Sequence, residues 1–428
     1  MIARRFASSA LTQPRRHAQM SSLTALSLAR LPEFPMLDRV IAIAIATTFA
    51  SAGAQAAVLE VGPGRPYATP CAAIAAAQAN DTIRIDAAGS YNGNVCAWSK
   101  NGLTLQGVNG RARIDAAGQA AQGKAIWVIV GEDTTIDNIE LTGASVNDRN
   151  GAGIRQEGRN LTVRNSVFRD NENGILANDV AGSTITIEYS EFDGNGYGDG
   201  LSHNVYIGRV DRLLFRHNWS HRAVVGHLLK SRARENRILY NRLTGEAGST
   251  GSYEINLPNG GLSFVIGNLV EQPSTTQNGA MLDYLSESGP NADLRLFVIN
   301  NTFVNNRGSG TFLQIGSSTA TPAVVRNNIF FGGGTVSTQA TAVLADNLVA
   351  GNPLFVAPAQ YDYRLLAGSP AIDAGSAPGA AAGFELAPVS AYRHPRDGEP
   401  RTSIGPIDIG AYEFGEAPLF TDGFEGLP

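Results

Sequence analysis

Residues 298–303 read VINNTF, and residues 325–330 read VRNNIF. The same frame occurs upstream as VIGNLV (265–270), ILYNRL (238–243) and FRHNWS (215–220), and downstream as LADNLV (344–349). Its fourth position is always Asn: Asn218, Asn241, Asn268, Asn301, Asn328 and Asn347. Looser copies reach back through IEYSEF (from 187), VRNSVF (from 163) and IDNIEL (from 136) to LQGV (from 105). Copies follow one another at 19 to 33 residues. A period of that size, made of short strands with no long helices between them, indicates a solenoid. A second strand recurs after each copy, as GIRQ, GILA, NVYI, HLLK, YEIN, MLDY and FLQI. Strand, corner, strand and loop in this order describe a parallel β-helix, an all-β fold, here of about ten coils with strands ~4.8 Å apart. The recurrent Asn suits a left-handed corner, and stacked amides can form a ladder.

Over about residues 60–350 these repeats resemble those of the parallel β-helix superfamily to which pectate lyases belong. The resemblance, with the crossover preference of parallel strands, implies a right-handed coil.

The ends of the chain read differently. VIAIAIATTFA (40–50) is an apolar run followed by small residues, with Ala54 and Ala56 forming an A-x-A cleavage signal. Residues 1–57 are therefore expected to be a signal peptide behind an upstream extension, with Met36 as the true start. The protein is then secreted or periplasmic. No later segment is apolar enough to span a membrane. Residues 58–100 suggest an N-terminal cap: Thr69 and Pro70 open a short helix, and Ile83 and Ile85 alternate as in a strand. Cys71 and Cys96, the two cysteines of an exported chain, are expected to form a disulfide. Residues 352–414 read as the closing segment of the solenoid, with Asp373 and Asp408 as turn-formers, and 415–428 as a tail.

The formal net charge is -5, and without residues 1–57, which hold six Arg and two acids, it is -9. That balance argues against a nucleic-acid partner.

Chemistry-bearing residues concentrate in 203–233, HNVYIGRVDRLLFRHNWSHRAVVGHLLKSRA, which holds four of the six histidines. Side chains alternate faces along a strand. With Val205, Ile207, Leu229 and Ile255 inward, Asn204, Tyr206, Lys230, Glu254 and Asn256 are expected to point outward on consecutive coils. The next coil adds Asp283 or Tyr284, with His203, His227, Arg232 and Glu287 at the edges. HLLKSRARENRILYNRL and YEINLPNGG are similar to a stretch of the alginate lyase and chondroitinase B family of polysaccharide lyases. There a Lys-Ser pair supplies the base, matched here by Lys230 and Ser231. The acidic Arg of that family has no counterpart one coil on, where Asn256 and Leu257 stand.

The resemblance implies elimination on a uronic acid polymer, with Lys230 as base and Tyr206 or His227 as acid. Asn204, His203, Arg232, Tyr284 and Glu287 would bind the polysaccharide, and Glu254, Asn256 and Asp283 would hold calcium. A free Glu254 beside Lys230 would oppose its deprotonation, and calcium would remove that conflict. Two other readings stay open: a non-catalytic glycan-binding face, and a glycoside hydrolase pairing Glu254 with Asp283 or Glu287.

Overall fold

The protein is described by a computed structural model over residues 55–349 and 351–415. The expected leader, except its last three residues, and nearly all of the tail lie outside the described residues. Three parallel sheets run the length of the coil. The first has twelve strands, from Val58–Val61 to Val343–Ala345; the second has ten, from Cys96–Trp98 to Thr335–Ser337; the third has nine, from Ala112–Asp115 to Ile329–Gly332. Each strand pairs with its equivalents one coil before and after, so the chain is a parallel β-solenoid of about ten coils.

The core is a set of columns. Leu105, Ile136, Val163, Ile187, Phe215, Ile238, Val265, Val298 and Val325 are register partners in sequence along the first sheet, and none is exposed. Phe168 and Phe192 stack inside the third sheet with ring centroids 4.9 Å apart.

The asparagine ladder forms as expected. Each amide Nδ2 donates to the Oδ1 of the next, Asn218 to Asn241 (3.1 Å), Asn241 to Asn268, Asn268 to Asn301 and Asn301 to Asn328 (2.9 Å each), and Asn328 to Asn347 (3.0 Å). The same Oδ1 atoms also accept the backbone N–H of the preceding ladder residue. Ser190 and Ser166 continue the column towards the N-terminus with hydroxyls in place of amides. One detail differs from the sequence reading. The left-handed residue of each corner is the one before the ladder Asn: His217, Tyr240, Asn300, Asn327 and Asp346 all have φ between 52° and 56°. Gly267 (φ 67°) takes that place once, where a Cβ would stand 2.6 Å from the Tyr240 ring.

At the N-terminal end, a helix at Pro70–Ala76 covers the first coil with Ala73 and Ile74. Lys100 Nζ donates to the Ile74 and Ala75 carbonyls at its C-terminus (2.7 Å each). The Cys71–Cys96 disulfide ties this helix to the second sheet.

The segment after 351, expected to close the end of the solenoid, instead lies along its flank. Phe355, Tyr363, Leu365, Ile409 and Tyr412 pack on Leu269, Val304 and Ile329 of the third sheet. Leu386 packs on Leu239, Tyr240, Phe264 and Phe297 of the first. Asp373 and Asp408 are turn residues as expected: Asp408 accepts from the Asp373 and Phe414 N–H groups (2.7 and 2.5 Å). The contacts of the closing segment fall on two of the three sheets, and the outer face of the second is left to other uses.

Asn268→Ala would leave the Asn241 Nδ2 and backbone N–H without their shared acceptor in the core. Each buried orphan costs ~1–3 kcal/mol. Denaturant unfolding should therefore show a clearly lowered midpoint; one unchanged from wild type would mean that the ladder does not stabilise the coil.

Candidate functional site on the second sheet

Register defines an outward file on the second sheet: Arg155, Leu176, Tyr206, Lys230, Asn256, Asp283 and Gln314 follow one another on successive coils. Alternation works here because Val205, Ile207, Leu229 and Ile255 fill the core. Lys230 Nζ lies 5.2 Å from the centre of the Tyr206 ring. Arg232 reaches back along the same face. Its Nε donates to Tyr206 Oη (2.8 Å), one terminal nitrogen to Asn259 Oδ1 (2.5 Å) and the other to Glu287 Oε2 (2.7 Å). The other Glu287 oxygen is 3.6 Å from Lys230 Nζ. One carboxylate thus rests on both cations, at the solvent edge, with its side chain 46% exposed.

Burial and the Arg232 charge push the Lys230 pKa below the usual lysine value, while Glu287 and Asp283 pull it back up. Against its own partial burial, Glu287 is held below the usual carboxylate range by Arg232 and Lys230. Asp283 lies beneath them, fully buried. Its oxygens accept from Asn256 Nδ2 (2.7 Å), Gln314 Nε2 (2.9 Å) and Ser286 Oγ (2.5 Å), and burial raises its pKa.

Of the expected site residues, Tyr206, Lys230, Arg232 and Glu287 meet on one open face, with Asn256 and Asp283 behind them. The others go elsewhere. Asn204 is interior: its amide joins a second ladder, accepting from Asn195 Nδ2 (2.9 Å) and donating to Ser220 Oγ (3.0 Å). Tyr284 points into the core and donates to the Gly261 carbonyl. His203 and His227 stack on each other (4.4 Å between centroids) in the corner before the sheet. Each Nδ1 accepts a backbone N–H, that of His227 and that of Tyr253. Burial and the Lys230 charge take the His227 pKa down to about 3, and burial lowers His203 still more clearly. These rings are neutral packing, and His227 is removed from the set of acids. Ser231 faces inward and donates to Asn236 Oδ1 (2.6 Å).

Glu254 is also interior. Residues 252–254 precede the strand Ile255–Leu257, so alternation does not extend to them. Its carboxylate sits 3.4 Å from Gln272 Nε2. Burial, then the charge of Glu271, raises its pKa well above the ordinary 4.5. Glu254, Asn256 and Asp283 therefore do not form one ligand set, and Asp283 is already engaged by three donors. The expected calcium is not matched by these residues. The carboxylate pairs considered for a hydrolase are likewise not assembled. Asn259, Ser286 and Gln314 were missed in the sequence; Gln314 stands in the same file as Asp283, so register alone could have found it.

The remaining histidine cluster lies on the third sheet. His221, on the third sheet, lies 3.4 Å from Glu191, 3.3 Å from Glu246 and 3.7 Å from Asp193. Burial opposes its charge, but the carboxylates raise its pKa. His221 and Arg242 bring Glu246 down to about 2 against its burial. Arg222 holds Asp193 through two bonds, and Arg396 of the closing segment holds Glu191 at 2.7 Å. This charge knot fastens the flank.

No protein-family model matches the chain, and no curated protein does. Among solved structures, pectate lyase Pel9A is similar with a TM-score of 0.54 and 17% identity, over 84% of this chain and 97% of that one. Two pectin methylesterase structures, one in complex with a hexasaccharide and one of PemA from Erwinia chrysanthemi, give TM-scores of 0.34 and 0.33 at 13% and 14% identity. They cover 53% and 54% of this chain and 79% of each of theirs. The first likeness defines the class of the fold: a parallel β-helix of the pectate-lyase type.

Glu254 supplies a pH test. Its folded pKa is raised, so the folded state keeps a proton that the unfolded chain loses above pH 4.5. Stability contributed by the neutral acid is complete below that pH and declines above it. Glu254→Gln should unfold at higher denaturant than wild type at pH 7, with the difference fading as the pH falls to 4.5. A difference independent of pH would place an ionised Glu254 in the fold.

Proposed function

We propose that the protein acts on an acidic polysaccharide laid along the second sheet, cleaving it by β-elimination next to a uronate. One observation carries this reading: Tyr206, Lys230 and Arg232 converge on an open face where a carboxylate already rests on both cations. A uronate carboxylate exchanging with Glu287 would be neutralised by Arg232, which acidifies the neighbouring C5–H. The uncharged Lys230 amine takes that proton. The C4–O4 bond then breaks, a C4–C5 double bond forms, and O4 leaves with the proton of Tyr206. Arg232 donates to Tyr206 Oη, so the phenol's own hydrogen is free to be given away. The pectate lyase of similar fold supports the substrate class, and the disulfide fits an exported protein in an oxidising compartment.

The test is the ultraviolet absorbance of unsaturated uronate during incubation with acidic polysaccharides. Lys230→Ala should lower kcat by about two to four orders of magnitude, the usual worth of a general base. Its melting temperature should move little, since Glu287 is 46% exposed and also paired with Arg232, so the loss of Lys230 leaves it a partner. Activity should rise with pH through the Lys230 pKa, and Glu287→Gln, which removes a charge that raises that pKa, should move the profile to lower pH. Full turnover by Lys230→Ala, or binding without any unsaturated product, would overturn the elimination reading.

A further inference from the structure

On the N-terminal side of Tyr206 the groove opens into a cleft of about 480 Å³. Its floor continues the outward file through Leu176 to Arg155, and one wall is the loop that carries Tyr197 and Leu201. Leu201 lines the cleft with Leu176 and Tyr206 and stands 79% exposed, an apolar side chain left in solvent. Such a cleft suits the apolar face of a sugar ring.

Its charge differs from that of the neighbouring site. Asp148, Asp179 and Asp199 line it. Asp199 and Asp179 accept the backbone N–H groups of Leu201 (3.0 Å) and Arg209 (2.6 Å), which fixes them without neutralising them. The two arginines of the cleft are directed to other partners. The Arg149 guanidinium lies 4.6 Å over the Tyr197 ring, and Arg155 Nε is 3.7 Å from Glu157, which also binds Lys124. A carboxylate entering here meets three aspartates, two of them fixed by backbone N–H groups, against two arginines already drawn to Tyr197 and Glu157, and this acidic excess in a partly desolvated space disfavours it. One coil beyond Tyr206 in the other direction, Lys230 and Arg232 favour a carboxylate.

We propose that this cleft is a subsite for a sugar without a carboxylate, so that the ligand is a heteropolysaccharide in which a uronate adjoins an uncharged residue. The proposal deepens the reading of the Lys230 site and rests on it. A polymer laid along the solenoid axis crosses one strand every ~4.8 Å, and passes from the cationic seat over Tyr206 into the acidic cleft. Specificity then comes as much from rejecting a second charge as from attracting the first.

The experiment compares calorimetric binding of two probes of equal length: a homopolymeric oligouronate, and an oligosaccharide alternating uronate with neutral sugar. The alternating probe should bind at least tenfold more tightly. The double variant Asp179→Asn, Asp199→Asn keeps both backbone acceptors and should narrow that ratio by improving the homopolymer. Equal or tighter binding of the homopolymer by the wild type overturns the subsite and leaves the Lys230 site standing. A ratio unmoved by the double variant also overturns it. A wild type that binds neither probe overturns both readings together.

Discussion

A buried backbone corner must have its N–H groups satisfied, and here a side chain supplies the acceptor at the same place in successive coils. Asn218 to Asn347 form that acceptor column: from Asn241 on, each Oδ1 takes a backbone and an amide hydrogen from the coil before, and Asn218 Oδ1 takes the Ser190 backbone N–H. The geometry locks neighbouring coils in register, because a slip of one residue would turn every core side chain outward. Ser190 and Ser166 extend the column with hydroxyls that accept one backbone N–H each, from Ser166 and Ile139. The outward file from Arg155 to Gln314 follows directly. Residues many positions apart in sequence become neighbours on one face because the corners fix the register.

The flank segment decides which face is available. It buries apolar surface of the first and third sheets and is fastened by the Arg396–Glu191 pair and the charges around His221. The second sheet is where the groove lies, and its loops form the cleft walls. The charged network around His221 joins the flank segment to the third sheet through the Arg396–Glu191 pair. Glu191, Asp193 and Glu246 each already have an arginine partner, so the cluster is balanced as it stands.

The solenoid was legible in the sequence because its signal is repeated: one Asn could mean anything, six at the same position in successive repeats could not. The corner conformation was read one residue late, since His217 and its equivalents, not the Asn, take the left-handed backbone. The site was legible only where strict alternation holds. Tyr206, Lys230, Asn256 and Asp283 follow from it, whereas Glu254 fell on the bend before its strand and turned inward. The density of histidine misled for a physical reason. Sequence neighbours in a solenoid lie on different sides of the coil, so His203 and His227 stack in one corner, His217 packs between Tyr189 and Tyr240, and His221 joins the third sheet. Arg232, taken as an edge residue, links Tyr206 to Glu287 because its length lets it reach across coils.

The charge balance of the site constrains how elimination could work. Glu287 favours the protonated form of Lys230, and a uronate taking its place brings an equivalent negative charge. Exchange of one carboxylate for another does not by itself produce the neutral amine that the reaction needs. The remaining lever is burial, already the largest influence on Lys230, together with the fixed charge of Arg232. A polymer covering the groove on both sides of Tyr206 removes water from the amine and strengthens that lever. Contacts made in the cleft, away from the reacting bond, would then be used to lower the Lys230 pKa rather than to tighten ground-state binding. On this account, shortening the substrate so that the cleft stays empty should reduce kcat and shift its pH profile upward. An effect confined to KM would mean that the cleft only holds the chain.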